Sequence, residues 1–321
     1  MDRFEPCELT FKVVVPTLNA GTDFRDFCEA LRSAVDPSRV IVIDSESSDD
    51  TPRTARAAGF TVHSISRKDF NHGATRQLAV TLAPLTDITV FLTQDAFLAD
   101  ERAITLLLHP FRDPKVAAVY GRQLPQATAN GIEAHARLFN YPPVSHCRSL
   151  SDRSRLGVKA AFFSNAFGAY RTSALNAIGG FRDDLILGED TVACAELLLA
   201  GFEVAYAADA CVIHSHPYSL AQEFKRYFDI GVLHRRQQHL FSQFGTVEGE
   251  GGRFVRSELA YLSRTAPATI PSAVLRNLTK LLAFRMGKLE SHLSLPLKRA
   301  LSMHAFFWQP SGPARNVASQ G

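Results

Sequence analysis

Cysteine, tryptophan and long apolar runs are all scarce in this chain. Its five cysteines (Cys7, Cys28, Cys147, Cys194 and Cys211) are scattered and include no CxxC pair. That argues against a disulfide frame or a zinc knuckle and implies reduced thiols in a cytoplasmic protein. No stretch approaches the roughly 20 uncharged apolar residues that a spanning helix needs. Asp2, Arg3, Glu5, Glu8 and Lys12 precede any apolar block, so a secretory signal is not expected. Two glycine fingerprints are also missing. The first strand candidate runs into Pro16-Thr17-Leu18-Asn19-Ala20-Gly21, which is not GxGxxG, and GxxxxGK[ST] occurs nowhere. Both dinucleotide oxidoreductases and P-loop ATPases are disfavoured, and any bound nucleotide must have its phosphates neutralised in another way.

What is present is a 321-residue chain, 46% apolar and 21% charged, with a net charge of +3. Those values suit a globular protein with a large core, built as one domain or as a catalytic domain with an accessory segment. The charge is uneven. From Arg253 to Gly321 ten Lys or Arg stand against Glu258 and Glu290, so this segment is +8 and the remainder −5. A basic tail on a mildly acidic body predicts an anionic partner.

The first half alternates strand and helix signals. Phe11–Pro16, Val40–Asp44, Thr61–Ile65 and Ile88–Thr93 are short β-branched runs, separated by helical patterns at Asp23–Val35, Thr51–Ala58 and Ala74–Ala83. Such alternation predicts a doubly wound α/β sheet that binds its ligand beyond the carboxyl ends of the strands. In the second half Val116–Tyr120, Glu203–Tyr206 and Ala210–His214 read as strands, and Thr191–Ala200 and Leu220–Gln238 as helices. Residues 245–252, rich in Gly and Glu, read as a flexible connector, and residues 253–321 as a basic amphipathic helical segment. The resulting division is a catalytic domain over 1–244, its nucleotide half about 10–122 and its acceptor half about 123–244.

Four constellations carry candidate chemistry. Asp44 closes the second strand, where a carboxylate is placed to accept hydrogen bonds from a ribose or base, while Asp49 and Asp50 suit capping of the next helix. Asp95 follows the most apolar strand in ITVFLTQDAF. A lone carboxylate there suits Mg²⁺ or Mn²⁺, which bind one or two carboxylates together with substrate phosphates; an exposed turn is the alternative. Glu189 and Asp190 open a helix, where acids favour the macrodipole, and one of them is a candidate general base. His214 and His216 lie two apart at a strand end and so share a face, as metal ligands, phosphate partners or by chance.

Together these residues resemble the family-2 glycosyltransferases, inverting enzymes of the GT-A fold. VVVPTLNAG and VIVIDSESSDDT are similar to the family's nucleotide-binding elements, TQDA to its Asp-x-Asp metal motif and GED to its catalytic-base motif. DFNHGATR, VIHSHPYSLAQEFKRYFDIGV and SMHAFFW resemble the bacterial dTDP-rhamnosyltransferases. The resemblance spans about residues 10 to 310. It implies that Pro16, Thr17, Asn19, Asp44, Arg76, Gln94 and Asp95 bind the nucleotide sugar, with Arg76 near base, ribose and phosphates. It further implies that Asp95 and His214 hold a divalent cation, with His216 as companion, and that Asp190 is the base, supported by Glu189. The donor would be dTDP-β-L-rhamnose and the acceptor a saccharide or lipid-linked saccharide of cell-surface polysaccharide or glycolipid. Gln94 departs from the motif, since it brings no charge to the metal. The rival expectations are a UDP-hexose or other nucleotide-sugar donor, or a catalytically lapsed carbohydrate- or lipid-binding scaffold; a sugar nucleotidyltransferase would want a glycine- and basic-rich loop where PTLNAG stands. The leucines and aromatics interleaved with cations in the tail have the composition of an interfacial helix on the cytoplasmic face of an anionic membrane, with packing on the catalytic domain or on a second subunit as the alternative. No nucleic-acid recognition motif accompanies the charge.

Overall fold

The structure, a computed structural model, describes residues 9–215, 217–245 and 250–309. Nine strands form one mixed sheet: β1 (Phe11–Thr17), β2 (Val40–Asp44), β3 (Thr61–Ser64), β4 (Ile88–Leu92), β5 (Phe97–Leu98), β6 (Val116–Leu124), β7 (His146–Arg148), β8 (Phe167–Arg171) and β9 (Glu203–Ile213). Their order is β3-β2-β1-β4-β8-β6-β9-β5, with β7 also on β9. The first four strands are parallel, and β8 inserts antiparallel between β4 and β6. The chain returns to the far side of β1 to form β4, so the order reverses there and opens a crevice at the carboxyl edge.

The central strands are apolar throughout because both faces are covered. β2 (VIVID) and β4 (ITVFL) are buried at every position, as expected where helices pack on both sides of a parallel sheet. One core layer gathers Phe24, Phe27 and Leu31 of the helix Phe24–Ala34 beneath Val13, Val15 and Val90. The opposite layer gathers Phe91, Tyr170, Phe181 and the apolar face of the helix Glu189–Leu199.

Residues 203–213, expected as two strands, form the single strand β9. Its pairing with β6 jumps from Gly121↔Ala207 to Arg122↔Cys211, and a bulge of this kind bends a strand and re-aims the residues beyond it. The short β5 then pairs Phe97 with Ile213 and Leu98 with Val212, bringing the segment after β4 alongside the end of β9.

The expected connector is shorter than its composition suggests. Residues 246–249 lie outside the described part, and a helix already begins at Glu250, so Gly251 and Gly252 are helical. The carboxyl-terminal helices Glu250–Thr265 and Ile270–Lys288 both pack on the catalytic body. Leu262 of the first is fully buried beside Ile132 of the helix Gly131–Asn140. The second crosses the helix Leu220–Arg236 where Gly231 faces Gly287. A Cβ on Gly287 would come 2.0 Å from the Phe228 carbonyl oxygen, and one on Gly231 2.2 Å from that of Phe284, so only glycine permits this approach.

Candidate active site

The loops after β1 and β2 are tied together by side chains. Thr17 Oγ1 donates to Asp44 Oδ1 at 3.1 Å, and Ser47 donates to the same carboxylate from its backbone N–H (3.0 Å) and its hydroxyl (2.6 Å). A carboxylate has about four acceptor positions. Asp44, 2% exposed, therefore fills three of them within the protein and shapes the loop. Asn19 adopts a left-handed backbone (φ +46) and accepts from the Ser48 N–H at 2.8 Å. Asp49 caps the next helix at Thr51 and also accepts from the Gly21 N–H, whereas Asp50, expected to share the capping, makes no side-chain cap bond. Pro16 sits half-buried in β1.

Gln94 explains itself in this setting. Its Oε1 accepts from the Leu18 N–H at 2.8 Å and its Nε2 donates to the Leu18 carbonyl at 3.2 Å. A carboxylate could accept but could not donate, so the amide clasps the first nucleotide loop in a way an acid cannot.

Asp95 and His214 converge. Asp95 Oδ1 lies 3.4 Å from His214 Nε2, with the carboxylate 43% and the imidazole 8% exposed. This pair opposes a carboxylate and an imidazole nitrogen at the mouth of the crevice. His216 lies outside the described residues. Among the described residues no group of three or more His, Cys, Asp or Glu side chains could hold a metal. The two present fit a hard cation whose remaining ligands are substrate phosphates and water.

The acidic pair follows Gly188, whose φ of +78 and 2.5 Å Cβ approach to the Leu233 side chain disfavour a larger residue. Glu189 turns inward. Its Oε1 accepts from Arg76 Nη1 at 3.0 Å and from Asn165 Nδ2 at 3.0 Å. Burial works to raise the Glu189 carboxyl, but the Arg76 guanidinium above all, with the Asn165 amide, holds it below the usual range. Asp190 is only partly buried and accepts from the N–H groups of Asn165 (3.1 Å) and Thr191 (2.7 Å). Burial and the adjacent Glu189 charge push its carboxyl up to about 6. Arg76, expected beside base, ribose and phosphates, thus has its guanidinium against the acidic pair.

Several participants are not among the site residues expected from the sequence. Asn165 holds both acids and accepts from the Tyr170 hydroxyl at 2.9 Å, yet it lies in a stretch that reads as merely small and apolar. Next to it, Ser164 accepts from Gln123, whose other amide atom meets His214. The segment Ser164–Asn165 thereby joins the Asp95–His214 pair to the Glu189–Asp190 pair. Asp229, buried in the helix Leu220–Arg236, accepts from the N–H groups of Met303 (2.9 Å) and His304 (3.2 Å). It fastens the SMHAFFW segment so that the His304 ring meets His72 edge-on at 4.9 Å. Burial pushes His72 down to about 4, leaving it neutral beside the Arg76–Glu189 pair.

The mixed doubly wound sheet, with β8 antiparallel between β4 and β6, has the architecture of a GT-A transferase. The family model for "Glycosyltransferase like family 2" matches residues 9–228, and the chain belongs to that family. It is 43% identical over 298 residues to the O-antigen chain rhamnosyltransferase RfbN of Salmonella typhimurium, covering 92% of this chain and 95% of the relative. It is also 43% identical to the O-antigen chain rhamnosyltransferase WbaN of Salmonella anatum, over 93% and 96% of the two chains. Among solved structures it resembles the mannosyltransferase PcManGT of Pyrobaculum calidifontis, in complex with GDP-Man and Mn²⁺, at TM-score 0.53 and 18% identity over 93% and 85% of the chains. It also resembles TarS residues 1–349 of S. aureus in complex with UDP-GlcNAc, at TM-score 0.53 and 12% identity over 88% and 92%.

Proposed function

We propose that this glycosyltransferase moves L-rhamnose from dTDP-β-L-rhamnose to a hydroxyl of a saccharide or lipid-linked saccharide acceptor, with inversion, in cell-surface polysaccharide synthesis. The names of both curated relatives, at 43% identity across nearly the whole chain, support the sugar and the pathway class. The observation that carries the chemistry is the Asp190 carboxyl pushed up to about 6 next to an ionised Glu189. At neutral pH Asp190 is mostly ionised and basic enough to take the acceptor proton as the hydroxyl attacks the anomeric carbon. Arg76 and Asn165 keep Glu189 charged and fixed, which maintains that basicity. Thr17, Asn19, Asp44 and Gln94 shape the two loops at the crevice where the nucleotide is received, and Pro16 sets the exit of β1. Asp95 and His214 would hold Mg²⁺ or Mn²⁺, which supplies Lewis-acid stabilisation of the departing diphosphate.

The same proposal sets the enzyme in the cytoplasm, against the anionic inner face of the membrane. No helix of the described residues is long and apolar enough to cross one. The outer face of the helix Ile270–Lys288 presents Leu275, Leu278 and Leu282 at 54%, 61% and 56% exposure, with Leu289 continuing the stripe. Between residues 253 and 309 both acids, Glu258 and Glu290, are buried, while Arg253, Arg256, Arg264, Arg285, Lys288 and Arg299 are exposed. An apolar stripe whose exposed charges all share one sign would repel a second copy of itself and suits anionic lipid.

The deciding assay is release of nucleoside diphosphate from a panel of dTDP-, UDP- and GDP-sugars with Mg²⁺ or Mn²⁺, against an EDTA control and with acceptor-bearing membranes added. EDTA-sensitive release from dTDP-rhamnose is expected. Turnover of a UDP-hexose instead would replace the donor and keep the residue roles.

A further inference from the structure

Gln123 is 2% exposed at the end of β6, out of reach of a substrate, yet its amide is fully committed. Its Oε1 lies 2.6 Å from Arg137 Nη1 and 2.9 Å from His214 Nδ1, and its Nε2 donates to Ser164 Oγ at 2.8 Å. A guanidinium can only donate, so the atom facing Arg137 is oxygen. That same oxygen faces His214 Nδ1, which must therefore carry a hydrogen. In a neutral imidazole the lone pair is then on Nε2, the atom 3.4 Å from Asp95 Oδ1.

We infer that Gln123 is a positioning residue that, oriented by Arg137, fixes the Nδ1–H tautomer of His214 and presents Nε2 to a metal ion beside Asp95. This rests on the metal role given above to Asp95 and His214. The amide takes the place that a carboxylate or backbone carbonyl fills behind many metal-binding histidines. Arg137 lies on the helix Gly131–Asn140 and His214 comes directly after β9, with Leu124 paired to Ile213. The device therefore couples the ring orientation to the packing of two elements flanking β6.

Two readouts independent of turnover test it. The first is the tautomer of His214 in metal-free protein, from long-range ¹⁵N–¹H correlations at about pH 8.5, where an ordinary imidazole is neutral, with His214→Gln assigning the signal. The second is the affinity for Mn²⁺ alone, followed by loss of the free-ion electron paramagnetic resonance signal. The wild type is expected to show hydrogen on Nδ1. Gln123→Met, similar in length but unable to hold the ring, should mix the tautomers and weaken Mn²⁺ binding about 10- to 100-fold. Gln123→Glu, which still accepts from both partners, should stay near wild type. If Gln123→Met fails to fold, Arg137→Leu provides the second variant, because it keeps the amide and frees it to flip. Hydrogen on Nε2 in the wild type, or unchanged Mn²⁺ affinity in a folded Gln123→Met protein, would overturn the assignment. If the wild type takes up no Mn²⁺, the metal role falls, and the ¹⁵N readout alone still decides whether Gln123 orients the ring.

Discussion

Glu189 and Asp190 are neighbours on one helical turn, yet their surroundings drive them apart. Arg76 keeps the first ionised, and that charge then hinders ionisation of the second. As the base, Asp190 works ionised, so kcat should rise with pH through about 6 and fall away on the acid side. Glu189→Gln removes the charge that raises Asp190, so the acid limb should move to lower pH in a pH–rate profile. It also leaves Arg76 buried without its counter-charge, which should lower stability by about 3–5 kcal/mol in urea unfolding. Asp190→Asn should lower kcat about 100-fold or more with donor affinity nearly intact, whereas Asp95→Ala should weaken donor binding and metal response together. Steady-state kinetics separate the two, and equal small effects would defeat the mechanism. These acids are legible in the sequence because a carboxylate at a strand or helix terminus stands out against apolar neighbours. Asn165 and Gln123 are not, since a buried amide acquires its meaning only from its partners, which here lie 5 to 91 residues away. Gln94 stands out as a deviation, but its purpose is visible only once Leu18 is beside it.

At the scale of elements, the parallel strands are readable because burial on both faces demands unbroken β-branched runs. β8 is not, since FGAYR contains no β-branched residue and pairs antiparallel with β4 and β6 rather than following the alternation. β9 reads as two strands because Ala207–Ala210 interrupts its pattern, and the interruption is the bulge itself. The helix bearing the acids follows a position whose left-handed backbone strains any residue but glycine. Gly188→Ala should cost about 1–3 kcal/mol and depress kcat more than donor affinity, because it displaces the base and leaves the nucleotide loops untouched. Asp229 holds another element in place. Burial pushes its carboxyl up to about 6, above its unfolded value, so its ionisation opposes folding and stability from this group falls as pH rises through 6. Asp229→Asn should therefore be tolerated at pH 7, while Asp229→Ala should release the Met303–His304 turn and lower the melting temperature.

Over the whole molecule, the carboxyl-terminal helices pack one face on the catalytic body and turn the other outward. Composition alone could not divide the cations between these faces. Arg276 and Lys280 turn inward to the buried Glu223, and Lys298 to Glu290, so less charge is exposed than the tail's +8 suggests. If the outward face meets lipid, the protein should co-sediment with vesicles rich in phosphatidylglycerol and only weakly with phosphatidylcholine, less so as salt rises. Leu278→Glu with Leu282→Glu should abolish that binding while leaving donor hydrolysis unchanged. A dimer in ultracentrifugation that the same changes dissociate would assign the face to a second copy instead.

The grip of Asp229 on Met303 and His304 has a consequence for synthesis. A ribosome delivers the strands, both acids and Arg76 well before residue 304, and domains begin to fold as they emerge. The histidine that closes over His72 arrives long after the residues it covers. A product cut short just before it would hold every acid proposed for catalysis and still lack the ring that packs on His72. Completion of the site thus waits on a segment made far downstream of its acids.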